Sequence, residues 1–175
     1  IKGHHIFNPA TLGLLVSLSL FRLGDEWWAA SAGFRLLGYM VPLSVLLVLA
    51  NYLAGKLRVS LAFLAVTTVF YFVAGISSVR ISPDLSGLAV LLNALPYYFA
   101  FIMLSEPKTS PNRLKEQVIF GIAIAVLYFV LDFNHIVFPF FIALLTGNLA
   151  YALYRSGFFA QKKQQVFKIF VCVRQ

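Results

Sequence analysis

Apolar side chains occur along this chain in long blocks that short polar segments separate. Five blocks reach the roughly 20 residues that a helix needs to cross a bilayer. They occupy residues 36–54, 59–78, 86–105, 114–132 and 135–154. A sixth block, from Pro9 to Phe21, is shorter, and fits a half-helix, a re-entrant segment or the end of a truncated helix. The pattern therefore predicts an all-α integral membrane protein with six hydrophobic segments, the first of them short.

Lysine and arginine are distributed unequally between the two sides of these segments. If the amino terminus is cytoplasmic and the first segment crosses, eleven basic residues share the side of the carboxyl terminus and three lie opposite. Cytoplasmic loops of membrane proteins carry such an excess. We therefore expect the carboxyl terminus in the cytoplasm. A re-entrant first segment would move only Lys2 to the other side.

Composition supports the same class of protein. Hydrophobic residues make up 61% of the 175 residues, charged residues make up 11%, and the mean hydropathy is +0.87. A soluble domain of this length could not bury so much apolar surface. Because the basic residues punctuate the apolar blocks and do not gather on one soluble face, we expect no nucleic-acid partner. The lone Cys172 excludes an internal disulfide and a cysteine metal cluster, and we assign no metal ligand.

The chain divides into a polytopic transmembrane domain, residues 1–155, and a basic juxtamembrane tail, residues 156–175. The tail ends in VFKIFVCVRQ. These β-branched and aromatic residues suit the first strand of a truncated soluble domain or an amphipathic tail on the membrane surface. At the other end, the chain lacks the Met and basic segment of a signal peptide, so we expect an internal piece of a longer protein.

The first candidate site opens the short hydrophobic block, where Phe7 and Asn8 precede Pro9. An Asn amide beside a helix amino terminus offers donors and acceptors next to exposed N–H groups, which makes a polar site. The alternative is a plain Asn-Pro helix start, and the dipeptide alone favours it.

The second candidate site is the acidic-proline segment that follows the block 86–105. Glu106 ends this block, and Pro107 has no N–H, so carbonyls near residues 103 and 104 are freed to meet a cation, water or a cofactor. The alternative is that Glu106 is a wetted loop residue that pairs with Lys108 or Arg113.

Other polar side chains add candidates. Thr109 and Ser110 supply hydroxyls in the same loop, and Asn93 and Asn148 lie inside apolar blocks. Buried amides in hydrocarbon need partners, so we expect both asparagines to face the bundle interior. Small residues at 146–148 would let two helices approach closely.

The two segments FNPATLG, residues 7–13, and SEPKTSP, residues 105–111, together resemble a known membrane family. It includes the D subunit of Rnf electron-transport complexes and the B subunit of sodium-pumping NADH:quinone reductase. The matching positions are Phe7, Asn8, Pro9, Ala10 and Gly13 in the first motif and Glu106, Pro107, Thr109, Ser110 and Pro111 in the second. The resemblance, over residues 7–155, implies flavin-dependent electron transfer across a prokaryotic inner membrane, coupled in some members to Na⁺ or H⁺ movement. It makes Glu106 the candidate for an ion route.

The chain departs from this family in two ways. Members with covalent FMN attach it to Thr in an S-G-A-T type motif, which is absent here, so FMN or another flavin is implied by the resemblance without an attachment residue. Members also have more membrane segments, which indicates a truncated or reduced relative. The partners implied are the lipid bilayer and either other subunits or a fused soluble flavin and nicotinamide reductase domain. The chain would then be a membrane component of an oxidoreductase complex and not a complete catalyst.

Two other functions fit the same residues. A non-redox channel or transporter for a small solute or cation would use the same helix end and the same carboxylate. A scaffold that only anchors a cytoplasmic domain would need none of these polar side chains.

Overall fold

A computed structural model describes residues 6–21, 37–73 and 96–156 of the chain. All regular secondary structure in these residues is helical, as the hydrophobic blocks predict. The helices are α1 Pro9–Phe21, α2 Leu37–Leu53, α3 Leu57–Val73, a π-helix Phe99–Met103, α4 Leu114–Phe133 and α5 Pro139–Arg155.

The helix bounds follow the apolar blocks closely, with two differences. The fifth long block, 135–154, begins its helix only at Pro139. His135 and Phe138 have φ angles of 55° and 59°, in the left-handed region that a right-handed helix cannot include. Residues 134–138 therefore form the turn between α4 and α5, and Pro139 starts α5 because its missing N–H is not needed in a first turn.

A second difference lies in the block 86–105, which is described from residue 96 onward. It ends as a π-helix, in which the N–H of Leu104 donates to the carbonyl of Phe99, five residues earlier, at 2.9 Å. A π-helix is a wider turn than the α-helix that the apolar pattern predicts, and such turns occur frequently at functional sites.

Helix length separates α4 from the other described helices. α4 has 20 residues and alone among them is both long and apolar enough to cross a membrane. Shorter apolar helices are α1, the part Pro42–Leu53 of α2, and α3. The prediction of spanning length therefore holds for one of the described helices.

α3 and α4 form the tightest helix pair. A Cβ atom at Gly121 of α4 would lie 2.5 Å from the carbonyl oxygen of Val59 in α3. α5 packs on the other side of α4, where Gly147 faces Ile124 and Phe120, as the small residues at 146–148 predict. α1 contacts α5 at the edge of the bundle.

Aromatic rings connect the π-helix to the three central helices. The ring centroids of Phe63 and Phe99 are 5.2 Å apart, and those of Phe99 and Phe140 are 5.1 Å apart. The ring of Phe140 stacks on Tyr128 at 3.9 Å, and the Tyr128 hydroxyl lies 2.9 Å from the Tyr71 hydroxyl. Aromatic pairs in such arrangements stabilise a fold beyond what the burial of the rings alone contributes.

Candidate functional site: a buried polar cluster around the π-helix

Asn8 begins α1 and contacts a distant part of the chain at the same time. Its Oδ1 accepts the N–H groups of Ala10 at 2.9 Å and Thr11 at 3.1 Å, which is a helix amino-terminal cap. Its Nδ2 donates to the carbonyl oxygen of Met103 at 3.0 Å. Asn8 is only 3% exposed. The plain helix start that the dipeptide favours is therefore present. The amide nitrogen of Asn8 also bonds to a backbone carbonyl far away in the sequence.

The Met103 carbonyl lacks its usual helical hydrogen-bond donor because of a proline. In an α-helix it would accept the N–H of residue 107, and Pro107 has no N–H. The sequence predicts that carbonyls near 103 are free to meet a ligand. For Met103 this is wrong: the Asn8 amide supplies the missing donor.

Two further side chains bind the carbonyls of the π-helix from α2 and α3. Asn51 Nδ2 donates to the carbonyl of Phe101 at 2.7 Å and to Leu47 in its own helix at 2.9 Å. The Ser60 hydroxyl donates to the carbonyl of Ala100 at 2.7 Å and lies 3.2 Å from Asn51 Oδ1. Both side chains are buried. These side chains therefore supply protein donors to two carbonyls of the π-helix, as an apolar surrounding requires.

Ser105 completes this arrangement, because its hydroxyl donates to the carbonyl of Phe101 at 2.6 Å. We call the side chains of Asn8, Asn51, Ser60 and Ser105 the polar cluster. All of its members are neutral, and their role is to hold the π-helix against α1, α2 and α3. The cluster itself has no group that titrates at ordinary pH.

The loop that carries Glu106 follows the polar cluster directly. The Glu106 carbonyl accepts the Ser110 N–H at 3.0 Å and the Ser110 hydroxyl at 2.7 Å. The Thr109 hydroxyl donates to the Glu106 carboxylate at 3.3 Å. Thr109 and Ser110 are buried, whereas the carboxylate side chain is half-buried. The acidic-proline segment is therefore a compact turn.

The alternative interpretation required a basic partner for Glu106. No such partner lies within the described residues. Arg113 forms an ion pair with Glu116 instead, at 3.6 Å. In the described part of the chain, the Thr109 hydroxyl is the one donor to the Glu106 carboxylate. Its remaining oxygen lone pairs are able to bind a cation.

Lys56 holds the far side of the same loop. Its Nζ donates to the carbonyls of Ser110 at 3.1 Å and Pro111 at 2.7 Å and to Asn112 Oδ1 at 2.7 Å. The residue is 3% exposed. Burial lowers the pKa of Lys56 from its ordinary value because desolvation penalises the ammonium form. Three acceptors nevertheless match the three N–H groups of an ammonium.

Gln117 adds a second connection between the two loops. Its Nε2 donates to the carbonyl of Gly55 at 2.8 Å and to the carbonyl of Asn112 at 3.3 Å. Lys56 and Gln117 together join the α2–α3 turn to the segment before α4. The basic residues of these two loops therefore lie at one end of the bundle, as the charge distribution predicts.

Asn148 is the predicted site residue without a partner. Asn148 lies in α5 and is 1% exposed, and neither its Oδ1 nor its Nδ2 has a hydrogen-bond partner among the residues that the structure describes. The Thr11 hydroxyl in α1 and Gln117 Oε1 are also buried and unpaired. Such groups are rare in folded proteins and mark strain or a ligand. Asn148 faces the interior as predicted, but it is not part of the polar cluster.

The predicted site residues thus fall into three groups. Asn8 contacts Met103, three residues before Glu106, and Phe7 and Pro9 lie beside Asn8 at the start of α1. Pro107 is exposed at the turn. Asn148 stands apart, and Asn93 lies outside the described residues.

Sequence reasoning missed Asn51, Ser60 and Lys56. The first two are polar residues near the facing ends of neighbouring apolar blocks, and that position is a usable signal for contact. From the sequence, Lys56 is only one of the basic residues expected on the cytoplasmic side, and no sequence feature predicts that it is buried. In the described part of the chain, no group of three or more His, Cys, Asp or Glu side chains could hold a metal ion.

Comparison with known proteins gave no matching family model, no matching curated protein and no matching solved structure.

Proposed function

We propose that this chain is a membrane component of a flavin-linked electron-transport complex, as its two motifs imply by their resemblance to the Rnf and sodium-pumping quinone reductase family. The observation that carries the proposal is the 3.0 Å contact between Asn8 Nδ2 and the carbonyl of Met103. It joins the first motif to the helix end that the second motif terminates. This contact supports the interpretation of the two motifs as parts of one site.

Membrane insertion is part of this proposal, and helix surfaces support it. α4 has spanning length, and the 17 residues of α2 and α3 are at the lower end of the range for a crossing. Large apolar side chains on these helices and on α1 face outward. They include Leu20 at 73%, Phe21 at 72%, Leu53 at 75% and Val73 at 79% exposure. Exposed apolar side chains of this size suit contact with lipid or with a membrane subunit.

Glu106 is the residue to which we assign ion coupling. It lies one turn beyond the π-helix, has one hydroxyl donor and has no basic partner among the described residues. A proton or Na⁺ would compensate its charge at this position. The polar cluster keeps the loop in place and does not itself take part in charge transfer.

The flavin of the proposal belongs to a partner subunit or fused domain. The amides and hydroxyls of the polar cluster already bind the π-helix carbonyls, so the cluster does not fit an isoalloxazine ring. We therefore place no flavin on these residues and derive no step through one.

Two measurements on the protein in its native membrane test this proposal. The chain should resist extraction by alkaline carbonate, and the detergent-purified complex should show a flavin band that dithionite bleaches. Release by carbonate would contradict membrane insertion. A chain that stays in the membrane but copurifies with no redox chromophore and carries an ion or solute flux alone in liposomes would instead establish the transporter alternative.

Replacement of Glu106 tests its assigned role. Glu106→Gln should abolish ion-coupled electron transfer while the protein remains inserted, and Glu106→Asp should retain part of the activity because the charge is kept. Asp132→Asn, which likewise replaces a carboxylate by an amide but near the carboxyl end of α4, is the matched control. Full activity of Glu106→Gln would remove this carboxylate from the mechanism.

A further inference from the structure

A groove lies between the start of α4 and the end of α5, separate from the polar cluster. The two helices are consecutive and the short turn 134–138 joins them, so these ends lie at the same end of the bundle. The groove has a volume of about 490 Å³. It is lined by Asn112, Arg113, Glu116, Tyr151, Tyr154 and Arg155.

The charges in the groove leave one guanidinium available. The Glu116 carboxylate lies 3.6 Å from Arg113 and accepts the Tyr151 hydroxyl at 3.2 Å. Arg155 has no hydrogen bond or ion pair to any described residue and is exposed. Two arginines against one carboxylate give the lining a net positive charge. An anion that enters meets Arg155 without having to displace an internal partner.

The aromatic wall indicates the depth of this groove in a membrane. The ring of Tyr151 packs against Phe120 at a centroid distance of 5.9 Å, and the ring of Tyr154 lies beside it at 6.4 Å. Tyrosine concentrates at the boundary between headgroups and hydrocarbon, because its ring is apolar and its hydroxyl is polar. The groove shares its end of the bundle with Lys56 and therefore faces the cytoplasmic leaflet in the predicted orientation.

We propose that this groove binds the phosphate group of an anionic phospholipid, with Arg155 as its principal contact and Arg113 as a second positive charge. The inference rests on the membrane insertion proposed above. Basic pockets between membrane helices on the cytoplasmic side bind anionic headgroups. Arginine suits phosphate because its planar guanidinium donates two parallel hydrogen bonds. The aromatic wall of Tyr151 and Tyr154 offers apolar contact to the rest of a lipid molecule, which favours a lipid over a free phosphate ion.

The test is lipid binding to the full chain in detergent, followed by native mass spectrometry with short-chain phosphatidylglycerol and phosphatidylcholine. We expect phosphatidylglycerol to bind more tightly, and Arg155→Gln to weaken it about fivefold. Arg155→Lys should keep most of the affinity. The matched control is Arg58→Gln, which removes an exposed positive charge at the same end outside the groove and should change the affinity little.

Each other outcome overturns a separate statement. Equal losses in Arg155→Gln and Arg58→Gln would show diffuse attraction to a basic surface and no groove site. Displacement of the lipid by millimolar inorganic phosphate would establish a soluble anion as the ligand. No preference between the lipids, in a chain that carbonate does not extract, overturns the groove proposal and leaves membrane insertion intact. A thermal unfolding curve for each variant separates lost binding from lost folding.

Discussion

The side-chain amide of Asn8 donates to the carbonyl oxygen of Met103, 95 residues further along the chain, and replaces the N–H that Pro107 lacks. One asparagine therefore caps α1 and closes the end of the π-helix. An asparagine is well suited to both tasks, because its oxygen accepts and its nitrogen donates.

Replacement of Asn8 separates these two contributions to stability. Asn8→Ser keeps an oxygen for the cap but cannot reach Met103, so it should lower the free energy of unfolding by about 1–3 kcal/mol through the unpaired buried carbonyl. Asn8→Ala also loses the cap and should cost about 1 kcal/mol more. Unfolding in detergent by chemical denaturant measures both. Equal stability of Asn8→Ser and the parent chain would show that the Met103 contact contributes nothing.

Lys56 should be far more important for stability than its neighbour Arg58. Lys56→Met keeps most of the side-chain length but leaves the carbonyls of Ser110 and Pro111 without their donor, which should cost about 2–3 kcal/mol. Arg58→Met changes an exposed residue and should stay within about 0.5 kcal/mol. The same denaturant series compares the two. Similar values for both variants would contradict the role of Lys56 in holding the loop.

The lowered pKa of Lys56 gives this residue a signature in alkaline solution. Between its folded pKa and 10.5, the unfolded chain binds more protons at this group than the folded chain. Its contribution to the free energy of unfolding should therefore rise with pH in that window and level off above it. The difference between the parent chain and Lys56→Met isolates the effect from other titrating groups. A difference that falls with rising pH would show that the hydrogen bonds outweigh desolvation.

The contact between α3 and α4 predicts opposite effects of one substitution at two glycines. Gly121→Ala places a Cβ 2.5 Å from the backbone carbonyl of Val59 and should destabilise the fold by about 1–3 kcal/mol. Gly13→Ala in α1 meets nothing within 4 Å and should be neutral or stabilise by up to about 1 kcal/mol. Thermal unfolding of the two variants side by side decides this. Tolerance of alanine at 121 would mean that the helices are further apart.

Two buried asparagines allow a test of what Asn148 does. Asn51 uses its Nδ2 twice, so Asn51→Leu should destabilise by about 2–3 kcal/mol. Within residues 6–21, 37–73 and 96–156, Asn148 has no partner for either polar atom, so Asn148→Leu should keep or raise the stability. A loss of electron-transfer activity in a stable Asn148→Leu variant would identify a functional amide. A large loss of stability would reveal a hydrogen bond that Asn148 makes in the assembled protein.

The sequence predicts much of the fold because each long apolar block corresponds to a helix. The block from Pro9 to Phe21 coincides with α1, and the start of α4 at Leu114 agrees with the predicted segment. The start of α5 was misplaced, because hydropathy does not register the left-handed backbone of His135 and Phe138. The π-helix was missed since its residues are as apolar as an ordinary helix.

The candidate site was only half predictable. Asn8 and Glu106 stand out because a proline follows each of them, and proline has definite backbone consequences. The contacts of Lys56 and Asn51 depend on where another segment, some 50 residues away, returns to the bundle. No local sequence pattern predicts where that segment packs. The burial of Lys56 and the hydrogen bond from Asn51 to Phe101 are therefore seen only in the folded chain.

The π-helix Phe99–Met103 also constrains how this region tolerates changes in length. Loss of one residue here would restore an α-helical turn and rotate everything beyond it by about 100° around the helix axis. The Met103 carbonyl would then turn away from Asn8, and the loop that Lys56 binds would turn away from Lys56. A substitution in these five residues changes only the local packing. A single insertion or deletion instead changes the rotation, about the helix axis, of the whole segment that follows.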